Sequence, residues 1–200
     1  MLDIFQAAGW SITYILIILY SFRERIIAIP PIAIASNFAW ETIALLQDFL
    51  RHSNLSNVGM CIHVFWFSLD LLIVMIYLCK CNSVYFNKWI FTCIYICESL
   101  FLFVIFHFTI SGMLLSCFAI DLIMAVEWCF YGMNKELKIN LLLTFIAIAK
   151  LIGDFLAWLC YRGNHFIVNI IGIFVLIINI GFLFILHIRT EQAKRKDCLP

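Results

Sequence analysis

An acidic residue in the middle of an apolar segment constrains this chain more than any other feature of its sequence. Glu41 lies within residues 34–47, IASNFAWETIALLQ, near the centre of an apolar run long enough to cross a bilayer. Because an ionisable group facing hydrocarbon costs several kcal/mol, such a residue faces the interior of a helix bundle and is a candidate functional group. Asn37 precedes Glu41 by four residues and therefore lies on the same helical face. The two residues predict a polar site inside the membrane.

The composition is typical of polytopic helical membrane proteins. Hydrophobic residues make up 65% of the 200 residues, and charged residues make up 12%, which is far from the balance of a soluble domain. The net charge of +1 gives no support for nucleic-acid binding. The nine cysteines have no metal-ligand spacing apart from Cys79 and Cys81, so we interpret them as small hydrophobic residues. We expect no metal ion and no other cofactor.

Seven apolar runs predict an all-α fold, a polytopic bundle of seven transmembrane helices. Each run is close to the roughly 20 residues that span a hydrocarbon core. The runs are residues 4–22, 30–50, 60–79, 88–106, 111–131, 140–160 and 166–187. Short polar connections leave no room for a soluble domain. We therefore expect residues 1–188 to form one seven-helix transmembrane domain and residues 189–200 to form a basic cytoplasmic tail.

The basic residues predict the orientation of the chain, since Lys and Arg that flank spans concentrate on the cytoplasmic side. With the C-terminus in the cytoplasm, only Arg51 and Arg162 flank the spans on the opposite side. The cytoplasmic set is Arg23, Arg25, Lys80, Lys88, Lys135, Lys138, Arg189, Lys194, Arg195 and Lys196. The N-terminus is accordingly expected outside or in the lumen.

Other ionisable residues lie near the centres of their spans. Asp70, Glu98, Asp121 and Lys150 are at matching depth, and Asp154 follows Lys150 by four residues. These side chains are expected to converge on a common interior or to pair with one another. The i,i+4 spacing of Lys150 and Asp154 predicts an ion pair.

Carboxyl groups beside aromatic rings suit a particular chemistry. Asp70 has Trp66 and His63 on its own helical face, four and seven residues back. Desolvation favours the neutral form of a carboxylic acid, which can then act as a general acid, and aromatic faces stabilise cations. A cavity of this kind in a bilayer suits protonation of an alkene or epoxide on a polyprenyl chain. The same groups would also serve a transporter or receptor that binds a hydrophobic or cationic ligand at the midplane.

Two motifs carry a resemblance to a known family. The first span contains GW-x-I-x-Y as Gly9, Trp10, Ile12 and Tyr14, and the second contains N-x-x-WE, which ends at Glu41. This part of the chain resembles the small seven-span membrane terpene cyclases of fungal meroterpenoid and indole-diterpene pathways and their bacterial relatives. The resemblance implies a metal-independent cyclase acting on a prenylated hydrophobic substrate, with the glutamate of N-x-x-WE as a catalytic acid.

The last span departs from the pattern of that family. Where the family has D-G-x-Y, this chain has NIGF at residues 179–182. Asp70, Asp121 or Asp154 would have to substitute for the absent aspartate. The candidate catalytic residues are therefore Glu41, Asp70 and Asp154. The candidate substrate-binding residues are Asn37, Trp40, His63, Trp66, Asp121, Trp158 and Asn179.

Two other functions are disfavoured by the sequence. The last span, residues 166–187, contains no lysine for a retinal Schiff base, and the chain has no D-D-x-x-D magnesium motif for diphosphate ionisation. The expected partners are the lipid bilayer and a prenylated small molecule. The expected location is the plasma membrane of a bacterium or the endoplasmic reticulum of a fungus.

Overall fold

The described residues form seven α-helices, with no β-strand among them. The computed structural model describes residues 2–50, 57–80, 88–108, 112–134, 137–163 and 165–197. The helices are α1 (Leu2–Glu24), α2 (Pro31–Leu50), α3 (Asn57–Lys80), α4 (Lys88–Phe108), α5 (Gly112–Gly132), α6 (Leu141–Tyr161) and α7 (Phe166–Asp197). The predicted all-α fold is confirmed. Arg51 and Lys135, which enter the orientation prediction, lie outside the described residues.

Local sequence explains where several helices begin and end. Arg25 follows the last residue of α1 with a φ of 59°, the left-handed conformation that commonly terminates a helix. α2 starts at Pro31, which has no N–H to leave unsatisfied in a first turn. Asn140 caps α6, since its side-chain oxygen accepts a hydrogen bond from the Leu143 N–H at 2.9 Å.

The protein is an integral membrane protein. Among the described residues, five helical segments are long and apolar enough to cross a membrane: Ile4–Glu24, Met60–Cys79, Met113–Gly132, Leu141–Tyr161 and Phe166–Lys194. α4 contains a shorter apolar segment, Phe91–Ile105. α2 is less apolar because it carries Ser36, Asn37, Glu41 and Gln47, all of which are buried. Large apolar side chains such as Phe174 and Phe184 are exposed on the helix surfaces, as expected of residues that face lipid.

The chain divides into two compact units. Unit 1 comprises residues 1–28 and 125–200, and unit 2 comprises residues 29–124. In unit 1, α1 packs against α6, and α6 packs against α7. In unit 2, α2 packs against both α3 and α4. Unit 2 is therefore one continuous stretch of chain, whereas unit 1 is assembled from both ends of the sequence.

A glycine contact brings α1 and α6 close together in unit 1. A Cβ atom added at Gly9 would lie 3.0 Å from Gly153 Cα and 3.2 Å from Gly153 N. Small residues at a helix contact allow this close approach in membranes. The glycine of the GW-x-I-x-Y motif thus has a packing role, and its neighbour Trp10 is brought to the surface of α6.

Arg189 organises the segment after α5 in unit 1. Its Nη1 donates to the carbonyl oxygens of Gly132 at 2.6 Å and Asn134 at 2.8 Å, and its Nη2 donates to that of Leu137 at 3.4 Å. These carbonyls lie at or beyond the helix end, where intrahelical partners are absent. The Tyr20 hydroxyl donates to the Lys138 carbonyl at 2.5 Å. Arg189, the first residue of the predicted tail, therefore forms part of the folded unit.

Aromatic stacking joins the helices of unit 2. The Phe38 ring on α2 stacks on Phe67 of α3, with centroids 5.4 Å apart, and on Tyr95 of α4, with centroids 5.2 Å apart. The Tyr95 hydroxyl also contacts the Thr42 hydroxyl at 3.3 Å. These contacts fix the faces that α3 and α4 present to α2.

Candidate functional site

Glu41 is buried at the centre of α2. Its exposed fraction is 2%, and Ser36 and Asn37, one turn earlier on the same helix, are also buried. The burial follows from the sequence of α2, in which small alanines at positions 33, 35, 39 and 44 are fully covered by neighbouring helices. The carboxyl group therefore lies inside unit 2, among protein side chains.

Asn37 connects α2 to Asp70 on α3. Its Nδ2 donates to Asp70 Oδ2 at 2.7 Å, and both side chains are buried. Because Asn37 and Glu41 are one turn apart, this hydrogen bond places the Asp70 carboxyl within one helical turn of the level of Glu41.

A further carboxyl group, Glu98, reaches α2 from α4. The Ser36 hydroxyl donates to Glu98 Oε1 at 2.9 Å. The other oxygen, Oε2, is shielded from solvent and finds no hydrogen-bond partner among the described residues. Glu98 was not among the candidate site residues. Only its position at mid-span indicated a place in the site. Ser36, which it contacts, lies on another helix and cannot be inferred from spacing within a single helix.

Two tryptophans and a histidine form an aromatic row between α2 and α3. The Trp40 indole N–H donates to the Ser116 hydroxyl at 3.2 Å. The His63 ring lies 6.1 Å from the Trp40 ring and 6.2 Å from the Trp66 ring, measured between centroids, and is nearly parallel to the latter. The row therefore links α2 to the same face of α3 that carries Asp70. Asp121, on the part of α5 that belongs to unit 2, is buried as well.

A second cluster of polar residues lies in unit 1. Lys150 Nζ donates to Asp154 Oδ2 at 2.6 Å, and the exposed fractions of the two side chains are 2% and 1%. The ion pair predicted from their spacing is confirmed. Asn179 Nδ2 donates to the same Asp154 oxygen at 2.5 Å, and the Trp10 ring centroid lies 4.8 Å from Lys150 Nζ. Residues of α1, α6 and α7 thus meet around this ion pair.

The geometry of this cluster determines what Asp154 can do. One oxygen accepts hydrogen bonds from a cationic ammonium and from an amide, and both donors favour an ionised carboxylate. Such a group is suited to accept a proton or to stabilise a positive charge. It is poorly suited to supply a proton.

Trp158 is placed one turn beyond Asp154 on α6. Its indole N–H donates to Asn169 Oδ1 of α7 at 2.8 Å, and the Arg162 guanidinium lies 5.3 Å from its ring centroid. The side chain is half-buried. Of the candidate site residues, Asp154, Trp158 and Asn179 belong to unit 1, and the other seven belong to unit 2.

Comparison with known proteins gives one match. Residues 1–138 match the family described as Pyr4-like transmembrane terpene cyclases. No curated protein and no solved structure matches the chain. The matched region contains both motifs of the first two spans and extends beyond the end of α5.

Proposed function

Because the chain belongs to the Pyr4-like transmembrane terpene cyclases, we propose that it cyclises a prenylated hydrophobic substrate by protonating an olefin or epoxide of the prenyl chain. The family consists of membrane terpene cyclases, so the chain is a membrane terpene cyclase. The proposal adds the way in which the reaction starts. Protonation at one carbon or oxygen generates a carbocation, and attack by neighbouring double bonds then closes the rings.

The observation that carries this proposal is the burial of Glu41. A carboxylic acid removed from water favours its neutral form, and a neutral acid has a proton to give. Asn37 lies one turn away on the same helix, and its amide donates to Asp70 Oδ2 at 2.7 Å. We assign Glu41 as the proton donor and Asp70 as the carboxyl group that orients Asn37.

Aromatic side chains supply the second requirement of the reaction. A carbocation inside a protein is stabilised by the negative faces of aromatic rings. Trp40 and Trp66 stand on either side of His63, and the Phe38 ring lies on the same helix as Glu41. We propose that rings of this group line the binding site for the prenyl chain, together with Asn37 and Asp121.

We propose that Asp154 is the functional carboxylate of unit 1. The resemblance implies that Asn179 stands where the family pattern has aspartate, and its amide donates to Asp154 Oδ2 at 2.5 Å. A carboxylate on the neighbouring helix thus lies within one hydrogen bond of that position. Lys150 Nζ lies 2.6 Å from Asp154 Oδ2, so the role proposed for Asp154 is to stabilise positive charge or to accept a proton. Trp158, one turn away, is proposed to contact substrate.

We also propose an orientation for the membrane protein. The basic residues place the C-terminus in the cytoplasm and the N-terminus outside or in the lumen, by the tendency of Lys and Arg to remain on the cytoplasmic side. In this orientation α2 enters the membrane from the cytoplasmic side, and Glu41 lies near the midplane.

The test of the proposed function is the replacement Glu41→Gln. The amide keeps the shape of the side chain and its hydrogen-bonding capacity but has no acidic proton. Turnover should fall by about 10²–10⁴, the usual contribution of a general acid. The assay measures cyclised product from a panel of farnesylated and epoxyfarnesylated phenols, incubated with membranes that contain matched amounts of protein.

Glu127→Gln is the matched control, since Glu127 is a half-buried acid on α5 and lies outside the proposed site. It should retain wild-type turnover. Full activity of Glu41→Gln would overturn the assignment of the proton donor. Absence of any turnover by the wild-type protein across the panel would favour the alternative, a seven-helix transporter or receptor for a hydrophobic or cationic ligand.

A further inference from the structure

A proton donor inside a membrane has to be restored after every turnover. When neutral Glu41 gives its proton to the substrate, it is left as a carboxylate, and ring closure ends with loss of a proton to a base. If a group other than Glu41 accepts the proton lost at ring closure, Glu41 needs a new proton before the next reaction. With an exposed fraction of 2%, Glu41 has almost no direct access to water.

His63 is a titratable group between Glu41 and an end of the apolar span. It lies on α3 three residues after Met60, where the apolar segment Met60–Cys79 begins, which is about 4.5 Å along the helix. Its side chain is half-buried, unlike those of Glu41 and Asp70. An imidazole gains and loses a proton near neutral pH more readily than any other side chain.

The contacts between α2 and α3 give the axial position of His63 relative to Glu41. Asn37 contacts Asp70, and Trp40 contacts His63, so the two helices run antiparallel. Measured along the helix axes from the Asn37–Asp70 contact, Glu41 is about 6 Å away on α2 and His63 is about 10.5 Å away on α3. Both residues lie in the same direction from that contact. The difference along the axis is about 4.5 Å, an offset that the two side chains, or one water between them, would have to span for a proton to pass.

Two indole rings flank His63. The Trp66 ring is stacked on the imidazole at 6.2 Å with an interplanar angle of 16°, and the Trp40 ring lies at 6.1 Å. Aromatic faces attract a neighbouring cation, so these rings would stabilise an imidazolium at this position. The ring beside it, Trp40, directly precedes Glu41 in α2.

We propose that His63 is a proton-relay residue that reprotonates Glu41 from the aqueous side of the membrane nearest the start of α3. The inference rests on the proposed function. The imidazolium transfers its proton to the Glu41 carboxylate, giving neutral imidazole and neutral carboxylic acid, and the imidazole then takes a proton from water. The proton released at ring closure leaves through a different base, so the substrate is isomerised with no net gain or loss of protons.

The relay predicts a different effect on the first turnover and on later ones. In His63→Gln, Glu41 starts protonated, so one product per protein forms rapidly and the following steady state is at least about tenfold slower than wild type, within the range of acid–base effects. Added imidazole should restore the steady-state rate. His63→Phe, which keeps a ring between Trp40 and Trp66, should show the same rapid first turnover and slow steady state. His165→Gln, an exposed histidine outside the spans, is the matched control.

The measurement is rapid-mixing product analysis with the member of the phenol panel that the wild-type protein converts fastest. A purely structural role of His63 slows the first and later turnovers equally, and that result would overturn the relay. Unchanged steady-state rates in both variants would also overturn it, because Glu41 would then recover its proton from the substrate. Absence of turnover by the wild-type protein would contradict the proposed function itself, and the relay with it.

Discussion

The buried ion pair of unit 1 allows a quantitative test of the structure by a double-mutant cycle. Lys150→Met removes the ammonium group, and Asp154→Asn removes the negative charge while keeping an oxygen for the Asn179 amide. With side-chain exposures of 2% and 1% and a separation of 2.6 Å, each single replacement leaves the other charge buried. Breaking such a pair costs about 3–5 kcal/mol.

The double replacement should recover most of that loss. A neutral pair of similar volume is often as stable as the ion pair itself, since no charge has to be desolvated. For a chain of this size, about 4 kcal/mol corresponds to a Tm shift of roughly 8–16 °C. Each single variant should therefore melt about 10 °C below wild type. The double variant should melt within a few degrees of wild type.

The assay is thermal unfolding in detergent micelles, followed by the fluorescence of a thiol-reactive dye or by the loss of a monodisperse peak. Two results would refute the reasoning. If the losses in the single variants add in the double variant, the two side chains do not interact. If the single variants melt at the wild-type temperature, Lys150 and Asp154 are not buried together.

The remaining predictions concern orientation and packing. Reporter fusions after Lys80 and at the C-terminus should both give a cytoplasmic signal, and an external signal from the C-terminal fusion would reverse the proposed orientation. Gly9→Ala should lower the Tm, because its Cβ would meet Gly153 Cα at 3.0 Å, and overpacking of this kind costs about 1–3 kcal/mol. Gly181→Ala, where an added Cβ meets nothing within 4 Å, should leave the Tm unchanged or raise it. Equal effects of the two alanine replacements would contradict the close contact of α1 with α6.

Features that depend on one helix at a time could be predicted from the sequence. The seven helices lie close to the seven apolar runs, because hydropathy and span length determine them locally. The Lys150–Asp154 ion pair could also be predicted, since residues four apart in a helix are neighbours wherever the helix packs. α7 continues through Asp197, beyond the predicted span, because hydropathy marks the apolar part of a helix and its polar continuation gives no such signal.

Contacts between helices were harder to predict. The partners of Asn37 and Glu98, and the contact of Asp154 with Asn179, depend on how helices are rotated against one another. Single-helix spacing contains no information on that rotation. Asn179 illustrates the difficulty. The sequence shows it as a departure from a family pattern, whereas the structure shows its amide bonded to a carboxylate one helix away. The roles of the candidate site residues stay predictions.

The discontinuous composition of unit 1 affects how the protein is made. Unit 2 is continuous in sequence, so its helices can associate as soon as they leave the insertion machinery. α1 is synthesised first, yet the Tyr20 hydroxyl bonds to a carbonyl 118 residues later, a delay of about 10 s at ordinary translation rates. During that interval, the surface of α1 that later meets α6 is without its final partner. Insertion chaperones that shield such a surface should therefore bind nascent chains that end within unit 2 and release them once α6 and α7 have been inserted.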